Sequence, residues 1–393
     1  MTRWNLYAGA FTKEFEKVFA DLSNSDNSWE RAWVTGGTQS SGWKPDAGGP
    51  PRGGHFSEGI ERFSFDDVTG ELCQLESVGG DLVNPQSLAM HPALPVVYAA
   101  EYARDGRIIA LGVRRDGSLE QQGALPSAGE LAISVAVHPS GKMAYVAHFG
   151  DGTLTSFPLD GNGMLLGAEL VVRGSGWEDS VRFSRHHQVR ATPSGNGVLV
   201  TDVARDELVM YGSDADGVLD PEPKARVKFP SRSGPRHLEF HPSGRWIYVV
   251  DERVSVLHVL AAHDFVPGEI HGTYSTVPPA YDGNNRPSEL HLHPDGQTLL
   301  VGNRGFDSVT IFSVTDAGGV EAIGYEPGLG GNLSALRIDP NGRHLIVGNG
   351  RPGNLAVFEI DANRSLHAVS APVELPAPRS LVFAESLAGE EAT

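Results

Sequence analysis

Cysteine is almost absent. The 393-residue chain holds one, Cys73, so no disulfide framework can form and nothing points to an oxidising compartment. Cys73 lies in the strand-like phrase Gly-Glu-Leu-Cys-Gln-Leu and is expected to be a packed core residue. Positive charge is scarce as well, with 31 lysines and arginines against 49 aspartates and glutamates. The formal net charge of −18 would repel a phosphate backbone, so no nucleic-acid partner is expected. No apolar run is long enough to span a bilayer, and no charged segment followed by an apolar stretch opens the chain. These absences predict a soluble cytoplasmic protein with no membrane partner. Serine never stands in a Gly-x-Ser-x-Gly setting, which excludes the nucleophile elbow of α/β-hydrolases. No Gly-rich fingerprint follows a strand and opens a helix, so no nucleotide cofactor is expected.

What the chain has in plenty is one recurring phrase. Six copies read SLAMHPALPVVYAAEY, SVAVHPSGKMAYVAHF, QVRATPSGNGVLVTDV, HLEFHPSGRWIYVVDE, ELHLHPDGQTLLVGNR and ALRIDPNGRHLIVGNG. Each is an alternating apolar run, a proline turn and a second apolar run ending in a polar residue, the pattern of a half-buried β-hairpin. The turn prolines, Pro92, Pro139, Pro193, Pro242, Pro294 and Pro340, are 47, 54, 49, 52 and 46 residues apart. That period leaves room for two further strands per unit and predicts four-stranded propeller blades. A seventh unit is split between the termini. PRSLVF at 378–383 matches the first strand of a repeat, and LYAGAF at 6–11 matches the second. Sharing a blade between the chain ends closes the ring and leaves no open sheet edge. The expected fold is all-β, a single seven-bladed propeller over 1–393. Residues 12–54 break the period and read as an insertion in the shared blade. Phe15, Val18, Phe19 and Leu22 there have helical spacing, and Trp29, Trp33 and Trp43 accompany them. The segment leaves the fold straight after Phe11, on the rim described next, and is expected to cap part of the channel mouth.

Alignment on the turn prolines sorts the chemistry. Six residues before the proline the first strand begins, nearest the central channel, at Gln86, Ile133, His187, Arg236, Ser288 and Ser334, with Arg379 in the split blade. Nine residues after it stand Glu101, His148, Asp202, Asp251, Asn303 and Asn349; ten after stand Tyr102, Phe149, Val203, Glu252, Arg304 and Gly350. In an antiparallel hairpin the start of one strand and the end of the next lie at the same end, so these columns share one face of the disc. His187, Arg236, Glu252 and Arg304 thereby converge from neighbouring blades. A solvated rim with incidental ion pairs would be built from similar residues, and asparagine and aspartate favour strand-ending turns in any case. Spacing alone leaves both readings open.

The repeat wording resembles the seven-bladed lactonase family, which includes the propeller-type 6-phosphogluconolactonases and the carboxymuconate lactonising enzyme. The likeness covers nearly the whole chain outside 12–54. It rests on YVAHFGDGTLTSFPLDGNG, HQVRATPSGNGVLVTDVARDELVMY, GPRHLEFHPSGRWIYVVDE and LHLHPDGQTLLVGNRGFDSVTIFSV, of which the last two are most specific. It implies a catalytic group formed by His187, Arg236, Glu252 and Arg304. Further candidates for substrate contact are His148, Arg185, Asp202, His237, Asn303, Asn349 and Arg379. Two departures bear on the substrate: Arg185 stands where the family usually has a histidine, and His148-Phe149-Gly150 replaces Asn-Tyr-Gly. The 12–54 insertion lies outside the family pattern.

Histidines at the turns (His91, His138, His241, His293) lie at the far end of the hairpins and are expected to be turn residues, not metal ligands. His148 with the His186–His187 pair is the only grouping that invites zinc, and adjacent residues of a strand face opposite ways. No metal and no cofactor is expected. The leading expectation is therefore a lactonase acting on a small anionic lactone. Glu252 would be the general base with its pKa raised by a hydrophobic surrounding, Arg236 and Arg304 the anion binders, and His187 the proton carrier. Two alternatives remain: a lactone-forming cycloisomerase acting on a muconate-type dicarboxylate, and a non-enzymatic propeller scaffold for a protein partner.

Overall fold

A computed structural model describes residues 3–12, 56–78, 81–174 and 184–386. The insertion, with its expected helix and its expected capping of the mouth, lies outside the described residues apart from Thr12.

The described chain forms seven sheets, each built from consecutive antiparallel strands. Blade I combines Pro378–Glu385 (innermost) with Arg3–Ala10, Ile60–Asp66 and Leu72–Val78. The inner hairpins of blades II to VII are Pro85–Met90 with Val96–Glu101, Ala132–Val137 with Met143–His148, His186–Ala191 with Gly197–Asp202, Pro235–Phe240 with Trp246–Asp251, Arg286–Leu292 with Thr298–Arg304, and Gly331–Ile338 with His344–Arg351. Two outer strands complete each blade, and in blade VII two short segments share the outermost place. The terminal strands pair directly, with Leu6 opposite Phe383 and Tyr7 opposite Val382.

Alternation along the strands gives each blade two apolar faces, and each face packs on a neighbour. Tyr7, Ile60 and Val382 of blade I meet Val97, Ile109 and Leu111 of blade II. On the other side Leu6, Phe63 and Phe65 meet Ile346, Leu355 and Val357 of blade VII. Equivalent clusters fill the remaining five interfaces, so the core is a ring of seven wedges. Hydrogen bonds stitch the inner strands across blades. Leu88 N donates to Ser380 Oγ (3.0 Å), Val135 N to Ser87 Oγ (3.1 Å), Val189 N to Ser134 Oγ (3.2 Å) and Leu238 N to Gln188 Oε1 (2.7 Å).

The turn histidines serve the same purpose at the far face. Nε2 of His91, His138, His241 and His293 each donates to a glycine carbonyl in the next blade's turn, at 2.9, 3.0, 3.2 and 2.7 Å. Cys73 differs from expectation. It is exposed on the outermost strand of blade I, where every side chain from Cys73 to Ser77 is exposed. Outermost strands lack a covering neighbour, and hydrophobicity alone does not reveal which strand is outermost.

Candidate active site

The rim is positioned by a backbone device repeated at the start of the inner strands. The residue ten after the turn proline donates its N–H to the carbonyl eight before it: Tyr102 to Asn84 (3.0 Å), Phe149 to Leu131 (3.0 Å), Val203 to Arg185 (3.0 Å) and Glu252 to Gly234 (2.8 Å). In the shared blade Phe11 donates to Ala377 (3.3 Å). The accepting residue commonly has positive φ: 44° at Asn84, 57° at Leu131, 69° at Gly234 and 47° at Ala377. Glycine adopts that conformation freely, whereas the other three must be held there by their surroundings. The inner strand is bulged immediately afterwards, which turns its first side chains toward the mouth.

The charged members meet on this frame. Arg304 Nη2 donates to Glu252 Oε1 at 2.7 Å, and Arg236 Nε lies 4.0 Å from Glu252 Oε2. Arg236 Nη1 donates to the Ser288 carbonyl of the next blade and lies 3.8 Å from Glu289 Oε1. Arg304 Nε donates to the Arg286 carbonyl at 3.3 Å. The His187 ring packs 5.1 Å from that of His237 and edge-on to Phe149 at 6.1 Å. Its Nδ1 is buried with no hydrogen-bond partner among the described residues. Arg379 places its guanidinium 4.1 Å from the centre of the Phe11 ring, and its Nε is likewise buried without a partner among the described residues.

Burial and crowding of cations set the protonation states. Burial pushes the Glu252 carboxyl up, but the Arg304, Arg236 and Arg286 guanidiniums outweigh it and hold the group at about 2. The expectation of a raised pKa is therefore corrected: the carboxylate faces three cations rather than a hydrophobic strand end. Burial, followed by Arg236, His237 and Arg304, keeps His187 well below 6.5, so the ring is neutral at pH 7. Burial and mutual repulsion lower Arg236 to about 10 and Arg379 to about 9. Both still carry their charge at neutral pH.

Not every expected residue joins this group. His237 does, through Glu289 Oε2 at 3.0 Å. Arg185 lies on the rim 5.4 Å from the Phe149 ring centre. The column nine after the proline turns away, because neighbouring residues on a strand point to opposite faces. Asp202 Oδ1 accepts the backbone N–H of Arg185, Ala204 and Arg205. Asn303 is held by Asn285, Thr276 and Thr310, and Asn349 by the Gly328 carbonyl and Asn354. His148 bonds the Thr153 carbonyl through Nδ1. All four are 0 % exposed and tie down backbone at this end of their blades. His186 is buried beside them, on the opposite face from His187. Among the described residues no group of three or more His, Cys, Asp or Glu side chains could hold a metal ion. Glu289 and Arg286 were missed by the sequence reading. Extending the proline alignment by one residue along the inner strand would have exposed Glu289, next to Ser288 and opposite His237.

Residues 46–383 match the family model for the seven-bladed β-propeller lactonases. The chain belongs to that family. Among the relatives of this lactonase-family chain is a 6-phosphogluconolactonase of Bacillus subtilis, 27% identical over 335 residues that cover 83% of this chain and 95% of the relative. One from Erwinia tasmaniensis is 26% identical, covering 67% of this chain and 76% of the relative. Solved structures with the same fold include a protein from Lactobacillus plantarum (TM-score 0.79, 21% identity, 98% of this chain and all of that one). Another is a periplasmic gluconolactonase of Pseudomonas aeruginosa (TM-score 0.77, 22% identity, 97% and 99% covered).

Proposed function

We propose that the protein hydrolyses a small anionic lactone of the 6-phosphogluconolactone type at this channel mouth. The observation that carries the reading is the imbalance of charge. Four guanidiniums, Arg236, Arg286, Arg304 and Arg379, crowd this mouth against two carboxylates: Glu252, bonded to Arg304, and Glu289, shared between His237 and Arg236. A substrate phosphate or carboxylate would supply the missing negative charge in a water-poor setting, where guanidinium contacts are strongest. The same anion explains how the acid–base groups could work. Beside these guanidiniums Glu252, at about 2, is a weak base. An anion bound to the arginines offsets the field that depresses it, so the carboxylate becomes more basic as the substrate arrives.

Glu252 then takes a proton from the attacking water as its oxygen adds to the ring carbonyl. An arginine N–H stabilises the oxyanion of the tetrahedral intermediate. Collapse breaks the ring C–O bond, and the proton passes from the Glu252 carboxyl to the departing alkoxide, either directly or through His187. Water and lactone give the hydroxy acid, and the enzyme returns unchanged. No residue in this scheme needs a cofactor. The reading includes a cytoplasmic location for the chain, and cell fractionation would test it. Among the described residues no helix is long and apolar enough to cross a membrane.

The test is turnover of 6-phosphogluconolactone, gluconolactone and a muconolactone, each followed in both directions. Hydrolysis that prefers an anionic lactone is expected. Folded protein that hydrolyses none of them, or that only closes a muconate to its lactone, would overturn the assignment.

A further inference from the structure

Below the rim lies a second set of charged side chains, outside the scheme above. Three residues before the turn prolines, the inner strands carry Ala89, Ala136, Arg190, Glu239, His291 and Arg337, with Val382 in the shared blade. Small or apolar residues come from blades I to III and charged or ionisable ones from blades IV to VII. Three residues along an extended strand separate this level from the rim by about 10 Å.

The charges at this level do not cancel. Glu239 is taken by Arg190 in a two-bond fork, 2.7 Å to Oε1 and 3.3 Å to Oε2. Glu289, one level up, is taken by His237 and faces Arg236. Among the described residues Arg337 has no carboxylate within ion-pair reach. Among these residues its one hydrogen bond runs from Nη1 to His291 Nε2 at 3.4 Å, and its Nε is buried with no partner. A guanidinium has only donors, so His291 Nε2 must be the acceptor and the ring proton sits on Nδ1. The unused hydrogen-bonding capacity of this pair is therefore all donor. Burial, then the nearby Arg190 guanidinium, disfavours the charged form of Arg337, and the Glu239 and Glu289 carboxylates offset this only in part. A cation with no carboxylate in contact is costly to place there, and a chain that only needed a filled channel could use an apolar side chain instead.

We propose that the inner strands of blades IV to VII hold a second oxyanion site centred on Arg337, with His291 and Arg190 beside it, for a carboxylate or phosphate group. Metal cations and apolar ligands do not suit an all-donor pair with net positive charge. The group could be the far end of a substrate with two anionic groups about 10 Å apart, or a free anion. The site is defined by binding alone, so it stands or falls independently of lactone hydrolysis.

Calorimetric titration of Arg304→Ala with inorganic phosphate weakens the rim, so that a further change on substituting Arg337 reports the lower site. One binding event is expected, weakened about tenfold or more when Arg337→Gln is added, since a charge-assisted bond is lost, and partly restored with Arg337→Lys. Arg337→Gln should melt at the same temperature as its parent or higher, because it removes a cation that lacks a counter-ion. If Arg337→Gln does not fold, His291→Ala removes a donor without removing charge and should still weaken phosphate. Absence of binding in Arg304→Ala, or undiminished binding in the folded Arg337→Gln or His291→Ala combination, overturns the proposal. Kinetics of the parent then separate the two sources, both of which uphold the site. Phosphate competing only with doubly anionic lactones marks the substrate's far end; phosphate that binds without affecting turnover marks a free anion.

Discussion

The two halves of the channel mouth use one backbone plan and spend it differently. On the side of blades I to III the rim is mainly apolar: Phe11, Tyr102, Leu131, Phe149 and Ala377 form a buried cluster, with Phe56 and Ile133 packed against it and Arg379 lying over the Phe11 ring. On the side of blades IV to VI the equivalent positions hold His187, Arg236, Glu252 and Arg304. The apolar half gains stability from burial. The charged half gives some up, since burying guanidiniums beside one another and beside a neutral histidine is unfavourable. A fold that could have completed an apolar ring all round carries a destabilising arc instead, and such arcs mark sites of function.

The largest contrast should appear on removing the carboxylate bonded to Arg304 in the charged half. Glu252→Gln keeps the shape and removes the basicity, and turnover should fall about 10²–10⁴-fold with the circular dichroism spectrum unchanged. Near-parental turnover would end its role as the base. Next in size, Arg304→Ala should damage kcat/KM on anionic lactones, with only partial rescue by Arg304→Lys because a point charge lacks the fork of donors. Full rescue by lysine would mean that charge alone, not paired geometry, recognises the anion.

In the apolar half the effect should move from rate to stability. Phe149→Ala should cost ~3–5 kcal/mol in chemical denaturation while turnover per folded molecule changes little. A collapse of turnover there instead would make that wall part of the catalytic machinery. Asn349→Ala should likewise lower stability, by ~1–3 kcal/mol for its unmet buried partners, and spare activity. A large rise in KM without loss of stability would return Asn349 to the substrate contacts.

The smallest effect is the pH response of the free enzyme. With Glu252 at about 2 and His187 well below 6.5, kcat/KM should show no acid limb in the ordinary histidine range near pH 6.5. The sign for stability follows from the depressed carboxyl. Glu252 titrates at 4.5 when unfolded and about 2 when folded, so its contribution is present above pH 4.5 and is lost as pH falls toward 2. His187 is also depressed, so its neutral form favours the folded state above pH 6.5, and that contribution declines as the unfolded-state ring protonates below it. An acid limb near pH 6 in kcat/KM would mean that a different group carries the proton.

Read alone, the sequence determined the blade count, the strand pairing across the termini and the shared face of His187, Arg236, Glu252 and Arg304. These follow from local rules: alternation of period two, proline turns, and the common end of adjacent antiparallel strands. Only the tertiary structure decided which neighbours each side chain meets. Asp202, Asn303 and Asn349 stand one residue from the rim column, yet face the opposite way and hold loops. Cys73 lies on a strand whose outermost place leaves it exposed. The protonation of Glu252 depends on Arg304, 52 residues away in the chain, and on Arg236 across the same mouth. The direction of a side chain from a bulged strand, and the summed field of cations from different blades, are properties of three-dimensional arrangement that no local pattern encodes.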